Sequence, residues 1–179
     1  MINPKKVKKG YKLFRIDRYE QLHSLFVNSN DIVPIGVWLP AECGELLPSG
    51  KVKAKLGNGL AFRPGWHLLD LPNSPWIGEK QKDGTLARRK NEVWAEVEYV
   101  AAINYQEEAR ENGWRAGRWA YVRACLKHIP FNGYYRYRTN SNGEESIITG
   151  AIRVIRILSD EEVTRICIEN GVEPQKIAG

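Results

Sequence analysis

Sulfur-containing residues, histidine and long apolar segments are scarce in this chain, and each scarcity argues against a class of protein. Its 179 residues include one methionine, three histidines and three cysteines. The cysteines lie far apart, form no Cys-x-x-Cys pair and have no metal-ligand spacing with the histidines, so we expect neither a metal site nor a disulfide framework. Free thiols are typical of a reducing compartment, and we therefore expect a cytoplasmic protein. The cysteines are Cys43, Cys125 and Cys167.

Membrane segments and the common nucleotide motifs are also missing. The apolar runs are only a few residues long, and the lysines between Lys5 and Lys9 are not followed by the apolar region of a signal peptide. We therefore expect no membrane association. The sequence contains no phosphate-binding loop, dinucleotide fingerprint, nucleophile elbow or zinc-protease motif. Several large enzyme classes are disfavoured as a result.

What remains is the composition of a globular domain. Hydrophobic residues make up 42% of the chain, aromatic residues 10% and charged residues 27%. A chain of 179 residues fits one hydrophobic core without metal or disulfide support. We expect residues 1–10 to form a flexible basic arm and residues 11–179 to form a single globular domain.

Strand signals dominate the pattern of apolar residues. Alternation of apolar and polar side chains predicts strands in three segments, and a longer apolar run predicts a central strand covered on both faces. Gln106–Glu111 fits a short helix, and residues 118–127 fit either a helix or a strand. The predicted strands are Tyr11–Ile16, Val93–Tyr99, Tyr134–Arg138 and the long run Ile147–Leu158.

The last helix has the clearest local signature. Ser159 and Glu162 form a capping box, in which each side chain can bond the other residue's backbone amide. Val163 and Cys167 would lie on its buried side, and Gly171 suits its C-terminal end. These elements together predict an α+β fold of mostly antiparallel strands with a C-terminal helix.

A basic charge balance keeps an acidic partner in consideration. The formal net charge is +6, with 27 basic and 21 acidic residues. Clusters at Lys5–Lys9 and Arg88–Lys90, together with Arg136 and Arg138, could contact the phosphates of nucleic acid or of a phosphorylated ligand. The acidic residues are interspersed, so the charge permits such a partner without identifying it.

His67 is the leading candidate for chemistry. It follows Pro64, Gly65 and Trp66, where a turn would present the indole and the imidazole at the start of the next element. The ring could bind a ribose or phosphate group or transfer a proton near neutral pH. The alternative is a structural histidine with both nitrogens bonded.

Glutamates offer competing candidate carboxylates. Glu96 and Glu98 share one strand face at a separation of roughly 6–7 Å, which suits either an acid/base couple or an ordinary solvated strand face. Glu144 and Glu145 stand at the entry to the Ile147 strand, where a carboxylate could serve a site or simply belong to a surface turn.

Several segments resemble uncharacterised proteins encoded by bacteriophages and other mobile elements. The likeness covers most of residues 11–166 and implies an accessory gene of phage type, but it implies no chemistry. The segments are YKLFRI, PIGVWLPAE, LAFRPGWH, VWAEVEY and ITGAIRVIRILSDEEV.

The order of elements is also similar to that of ADP-ribosyltransferases. This resemblance implies NAD as cofactor, with Arg15 or His67 as its anchor. It implies Glu145 as the carboxylate that stabilises the ribosyl cation, with Glu96 and Glu98 as alternatives. It further implies that Trp66 or His67 stacks on nicotinamide and that Ser74 takes the place of the family's serine. His67 departs from the family, which has tyrosine or serine there. The substrate would be a host protein or nucleic acid. A non-enzymatic interaction or anti-defence module and a basic nucleic-acid-binding module are the alternatives.

Overall fold

The architecture is described by a computed structural model for residues 2–55, 57–115, 124–138 and 144–179. Within these ranges the chain forms eleven strands and two α-helices, with one short 3-10 helix, Pro4–Lys6, before the first strand. The strands are β1 (Val7–Ile16), β2 (Leu22–His23), β3 (Trp38–Pro40), β4 (Trp66–Leu68), β5 (Glu79–Lys80), β6 (Leu86–Ala87), β7 (Glu92–Val100), β8 (Ile103–Asn104), β9 (Gly133–Arg138), β10 (Glu145–Thr149) and β11 (Ala151–Ile157). The helices are α1 (Gln106–Arg115) and α2 (Asp160–Glu169).

These strands build two principal sheets. One has five strands in the order β2-β1-β7-β11-β3, and the other has four in the order β4-β10-β9-β8. The pairings are antiparallel except for that of β8 with β9. With its C-terminal helix, this single domain of mostly antiparallel strands confirms the predicted α+β class.

The inner faces of the two sheets pack against each other and form the main core. Burial of each large apolar side chain there contributes roughly 1.5–3 kcal/mol relative to exposure. Strand alternation explains the arrangement, because residues two positions apart share a face. The most deeply buried members are Phe14, Val97, Tyr99, Ile152 and Val154 of the five-stranded sheet and Leu68 and Ile147 of the four-stranded sheet.

Each outer face has its own helix. Val163 and Cys167 of α2 pack with Leu13 and Trp94 of the five-stranded sheet. On the other side, α1 joins the outer face of the four-stranded sheet through an apolar cluster. The layers are therefore α2, five-stranded sheet, four-stranded sheet and α1. That second cluster includes Ala109, Tyr135, Tyr137 and Ile148.

Helix α2 begins as its sequence predicts. The Glu162 amide donates to the Ser159 hydroxyl at 3.2 Å, and the Ser159 amide donates to the Glu162 carboxylate at 2.9 Å. Past the C-terminal end, Gly171 adopts a φ of 69°, a backbone conformation that favours glycine. In the described part of the chain, no helix is long and apolar enough to cross a bilayer.

The predicted strand Ile147–Leu158 is divided in two, which corrects the sequence interpretation. Strand β10 belongs to the four-stranded sheet and β11 to the five-stranded sheet, with the change of sheet at Gly150. A Cβ atom at Gly150 would lie 1.7 Å from the carbonyl oxygen of Pro130, so only glycine allows the two backbones to approach so closely.

Strand β1 begins before the predicted boundary at Tyr11. Val7–Gly10, assigned to the flexible arm, pair with Val97–Val100 of β7. Lys9 suits this position because its ammonium group lies 2.6 Å from the Glu96 carboxylate on the neighbouring strand. Residues 118–123 and the predicted turn at 140–143 lie outside the described residues.

Candidate ligand site at the edge of strand β1

One edge of β1 carries two separate pairings with a gap between them. Tyr11 exchanges backbone hydrogen bonds of 2.8 Å with Leu69, and Arg15 pairs with His23 of β2. At Leu13, between these points, no strand of the described chain pairs with this edge. Strand β4, which leads into Leu69, belongs to the other sheet. The backbone bonds between Tyr11 and Leu69 thus join the two sheets, whereas His67 of β4 forms no backbone pair with β1 in the described chain.

Lys12 lies where the sheets separate. Its position in β1 directs the side chain to the inner face, where Nζ donates to the His67 carbonyl at 3.1 Å. Nζ also lies 5.6 Å from the centroid of the Phe14 ring and 5.7 Å from that of Trp66. Burial lowers the pKa of Lys12 to about 8, so the amine is still mostly charged at neutral pH. No described carboxylate forms an ion pair with it.

His67 faces the outer side of the four-stranded sheet. Its Nε2 lies 3.3 Å from the Arg63 carbonyl and its Nδ1 lies 3.2 Å from the Tyr137 hydroxyl. A carbonyl only accepts, so Nε2 carries the hydrogen and the Tyr137 hydroxyl donates to Nδ1. His67 is exposed at the surface, and partial desolvation together with the Lys12 and Arg63 charges lowers the pKa of its imidazole. The imidazole is therefore neutral at physiological pH.

Arg63 adds a second cation beside this histidine. Its guanidinium carbon lies 4.1 Å from the centroid of the Tyr137 ring, and its Nε donates to the Ala124 carbonyl at 3.4 Å. It too has no carboxylate partner in the described ranges. Gly65 makes the intervening turn possible: its φ is 122°, and a Cβ there would lie 2.4 Å from the Ile148 side chain. As predicted, the turn presents Trp66 and His67 at the start of the next strand.

The chemistry of this arrangement is that of anion binding. Lys12 donates to the backbone oxygen of His67, and the Arg63 guanidinium lies over the ring of Tyr137, whose hydroxyl contacts the His67 imidazole. Neither cation has a carboxylate partner among the described residues. Both ring nitrogens already have partners, which agrees with the alternative of a structural histidine. His67 would order the site without exchanging a proton.

The other residues predicted to bind NAD lie in separate surroundings. Trp66 faces the core between the sheets, and its Nε1 donates to the Leu39 carbonyl at 3.0 Å. Arg15 shares a face with Leu13 toward α2, and its guanidinium donates to the Ser29 carbonyl at 2.8 Å. Ser74 is 1% exposed, and its hydroxyl has no hydrogen-bond partner among the described residues.

Glu145 lies on the same sheet as His67 but faces the other way. It is three residues from Ile148, the partner of His67 in β10, so roughly 10 Å of strand separates them. Its carboxylate lies 3.3 Å from Arg136 and 3.6 Å from Arg138. The structure thus brings Trp66 and His67 together in β4, and it shows no contact of Arg15, Ser74 or Glu145 with His67.

The competing glutamates are engaged in ion pairs. Glu96 lies 2.6 Å from Lys9 and 3.0 Å from Arg156, and Glu98 lies 2.5 Å from Arg153. The hydrogen bond from Lys9 is the main cause of the lowered pKa of Glu96, against the desolvation that raises it. These ion pairs occupy both carboxylates. Glu96 is 8% exposed and β7 is a central strand, so the two glutamates do not form the solvated face of an edge strand.

Carboxylates also pair with all four arginines of the nucleic-acid hypothesis. Arg88 bonds Asp160 at 2.5 Å, and Arg89 lies 3.7 Å from Glu92. Arg136 is held by Asp70 at 2.7 Å in addition to Glu145. These pairs leave less free charge for a phosphate backbone.

Three residues of the site were missed in the sequence interpretation: Lys12, Arg63 and Tyr137. A signal existed for Lys12, because it shares its strand face with Phe14 and Ile16, where an apolar residue is the usual choice. Tyr137 is buried, and its contact with His67 joins residues seventy positions apart in sequence, which no local pattern predicts.

No protein-family profile matches this chain, and neither does any curated protein or any solved structure. The resemblances to phage proteins and to ADP-ribosyltransferases therefore stay predictions. In the described parts of the chain, no group of three or more His, Cys, Asp or Glu side chains could hold a metal ion.

Proposed function

We propose that this domain binds a phosphate-bearing ligand at the gap beside β1, with Lys12 and Arg63 as its charge partners. NAD is the ligand that the ADP-ribosyltransferase resemblance implies. One observation carries the proposal: the Lys12 ammonium group is partly buried between two aromatic rings and has no described carboxylate partner.

An anion would improve the surroundings of that ammonium group. A cation withdrawn from water without a counter-charge is unfavourable, and the lowered pKa of Lys12 expresses this cost. A pyrophosphate supplies negative charge and accepts several hydrogen bonds, each worth roughly 1.5–3 kcal/mol when a charged group takes part. The two cations lie on opposite faces of β4, which is an edge strand, so a ligand that engages both has to extend across that edge.

We further propose that the domain transfers ADP-ribose from NAD to a host protein or nucleic acid. The protein would act in the cytoplasm as a phage-type accessory protein. Such a reaction needs a carboxylate beside the ribose, and Glu145 is the candidate. Glu145 lies on the inner face of the four-stranded sheet, as Lys12 does, and its pairs with Arg136 and Arg138 would have to open for it to reach a ligand bound at Lys12.

Calorimetric titration with NAD, ADP and nicotinamide tests the proposal. We expect NAD and ADP to bind, because both carry a pyrophosphate, and nicotinamide alone to bind far more weakly. Lys12→Met and Arg63→Met should each weaken NAD binding roughly tenfold or more, the loss of one charge-assisted hydrogen bond. Release of nicotinamide from NAD, abolished in Glu145→Gln, would report the transfer reaction.

Lys82→Met is the matched control, since Lys82 is exposed in the turn between β5 and β6. It should bind NAD like the unchanged chain. The proposal fails if neither NAD nor ADP binds at millimolar concentration, or if Lys12→Met and Arg63→Met bind as tightly as Lys82→Met.

A further inference from the structure

A histidine–aspartate pair lies at the opposite end of the same β1 edge. The His23 Nε2 is 2.8 Å from the Asp17 Oδ2, while the Asp17 Oδ1 accepts the backbone amides of Tyr19 at 2.8 Å and Gln21 at 3.0 Å. The His23 bond, followed by the Gln21 amide, lowers the pKa of Asp17. The carboxylate is therefore ionised at neutral pH, and Nε2 of His23 carries a hydrogen.

Two buried nitrogens beside this pair have no hydrogen-bond partner among the described residues. They are Nδ1 of His23, a residue only 7% exposed, and Nε of Arg15. Arg15 and His23 are direct partners in the β1–β2 register, so their Cβ atoms lie about 5 Å apart on one face. The guanidinium Nε always carries a hydrogen and must donate, so leaving it unpaired in a buried position is unfavourable.

The charge of Arg15 is also without a counter-ion in the described ranges. Its one hydrogen bond goes to the neutral carbonyl of Ser29. Glu92, its register partner on β7, is engaged elsewhere: its carboxylate accepts the Arg89 amide at 2.8 Å and lies 3.7 Å from the Arg89 guanidinium. A bound anion would satisfy both the unpaired donor and the uncompensated charge.

We propose that Arg15 and His23 form a second binding site, which takes a small oxyanion such as a carboxylate or phosphate group. In the complex, one oxygen accepts from Nε of Arg15 and another from Nδ1 of His23, so that both ring nitrogens of His23 donate, Nε2 to Asp17 and Nδ1 to the anion. This site is independent of the proposed NAD site, because alternation along β1 puts Arg15 on the α2 side and Lys12 on the inner face.

Nitrogen-15 NMR of the unchanged chain, titrated with inorganic phosphate or with acetate, tests this assignment. We expect saturable shifts of the Arg15 Nε–H and His23 ring signals at millimolar anion. A response to both anions indicates a general oxyanion site, and a response to phosphate alone indicates a phosphate site. Absence of a saturable shift with either anion overturns the proposal, and a bridging water would then explain the two nitrogens.

Variants separate this site from its surroundings. Arg15→Gln and His23→Asn should each weaken anion binding roughly tenfold or more, through the loss of one charged donor. Arg18→Gln is the matched control, because Arg18 is exposed and its guanidinium lies over the Tyr19 ring. Lys12→Met should leave the Arg15 shift unchanged even if it abolishes NAD binding. Equal anion binding by Arg15→Gln and Arg18→Gln would contradict the assignment. If Arg15→Gln fails to fold, the titration of the unchanged chain with phosphate and acetate still tests the proposal.

Discussion

Lys12 is the residue at which stability and the proposed function oppose each other. Its neighbours Phe14 and Ile16 on the same strand face are apolar, and an apolar residue would pack there without desolvating a charge. Among the described residues, the ammonium group contacts a carbonyl and the faces of two rings. A residue that weakens the free protein in this way is understandable if its charge is used when a ligand binds.

Lys12→Met should therefore raise the free energy of unfolding at pH 7, by on the order of 1 kcal/mol. Because the pKa of Lys12 is about 8 in the folded chain and about 10.5 in the unfolded chain, the unfolded state binds more protons between these values. The destabilisation caused by the charged Lys12 is therefore complete below about pH 8 and disappears as the pH rises from about 8 to about 10.5. Urea denaturation of both chains at pH 7 and at pH 10.5 measures the difference in unfolding free energy at each pH.

Lys82→Met serves again as the control, since an exposed lysine should change the unfolding free energy little at either pH. A Lys12→Met chain that is less stable than the unchanged chain at pH 7 would contradict this account. So would a stabilisation that does not shrink toward pH 10.5.

At single residues, the sequence predicted which side chains a turn presents better than it predicted their hydrogen-bond partners. The turn at Gly65 and the presentation of Trp66 and His67 follow from local backbone preferences, and both were predictable. The bond between His67 and Tyr137 was not, because it depends on β4, β10 and β9 lying side by side. Arg15 and Glu145 were chosen for their place in an order of elements, which does not determine side-chain partners.

At the scale of elements, Gly150 is the point at which one apolar run is divided into β10 of the four-stranded sheet and β11 of the five-stranded sheet. Gly150→Ala should lower the free energy of unfolding by about 3 kcal/mol or more, because the added methyl group would overlap the Pro130 carbonyl and neither backbone can easily move. Gly179→Ala is the control, since a Cβ there meets no atom within 4 Å. Equal stability of the two variants in urea would contradict the close approach.

Other elements show which signals are local. The capping box of α2 is contained in four consecutive residues, so its prediction needed nothing from the rest of the chain. The alternation in β7 was equally readable, whereas its burial on both faces depends on α2 and on the second sheet. The division at Gly150 needed knowledge of Pro130, twenty residues away in sequence, and the early start of β1 needed the Glu96 partner of Lys9.

At the scale of the whole molecule, the separation of the two proposed sites follows from the layers. Even-numbered residues of β1 such as Lys12 and Phe14 face the second sheet, and odd-numbered residues such as Leu13 and Arg15 face α2. Two neighbouring cations can thus serve different ligands without repelling each other across a shared pocket.

The main core also predicts that the layers unfold together. Residues from both sheets build one apolar cluster, and the chain passes directly from β10 to β11 between the sheets. We expect far-UV circular dichroism and tryptophan fluorescence to report the same urea midpoint, because Trp94 lies against α2 and Trp66 lies between the sheets. Ser159→Ala, which removes the cap of α2, should shift both curves equally by roughly 1 kcal/mol. Separate midpoints, or a cap variant that moves only the dichroism curve, would show that α2 and the sheets unfold independently.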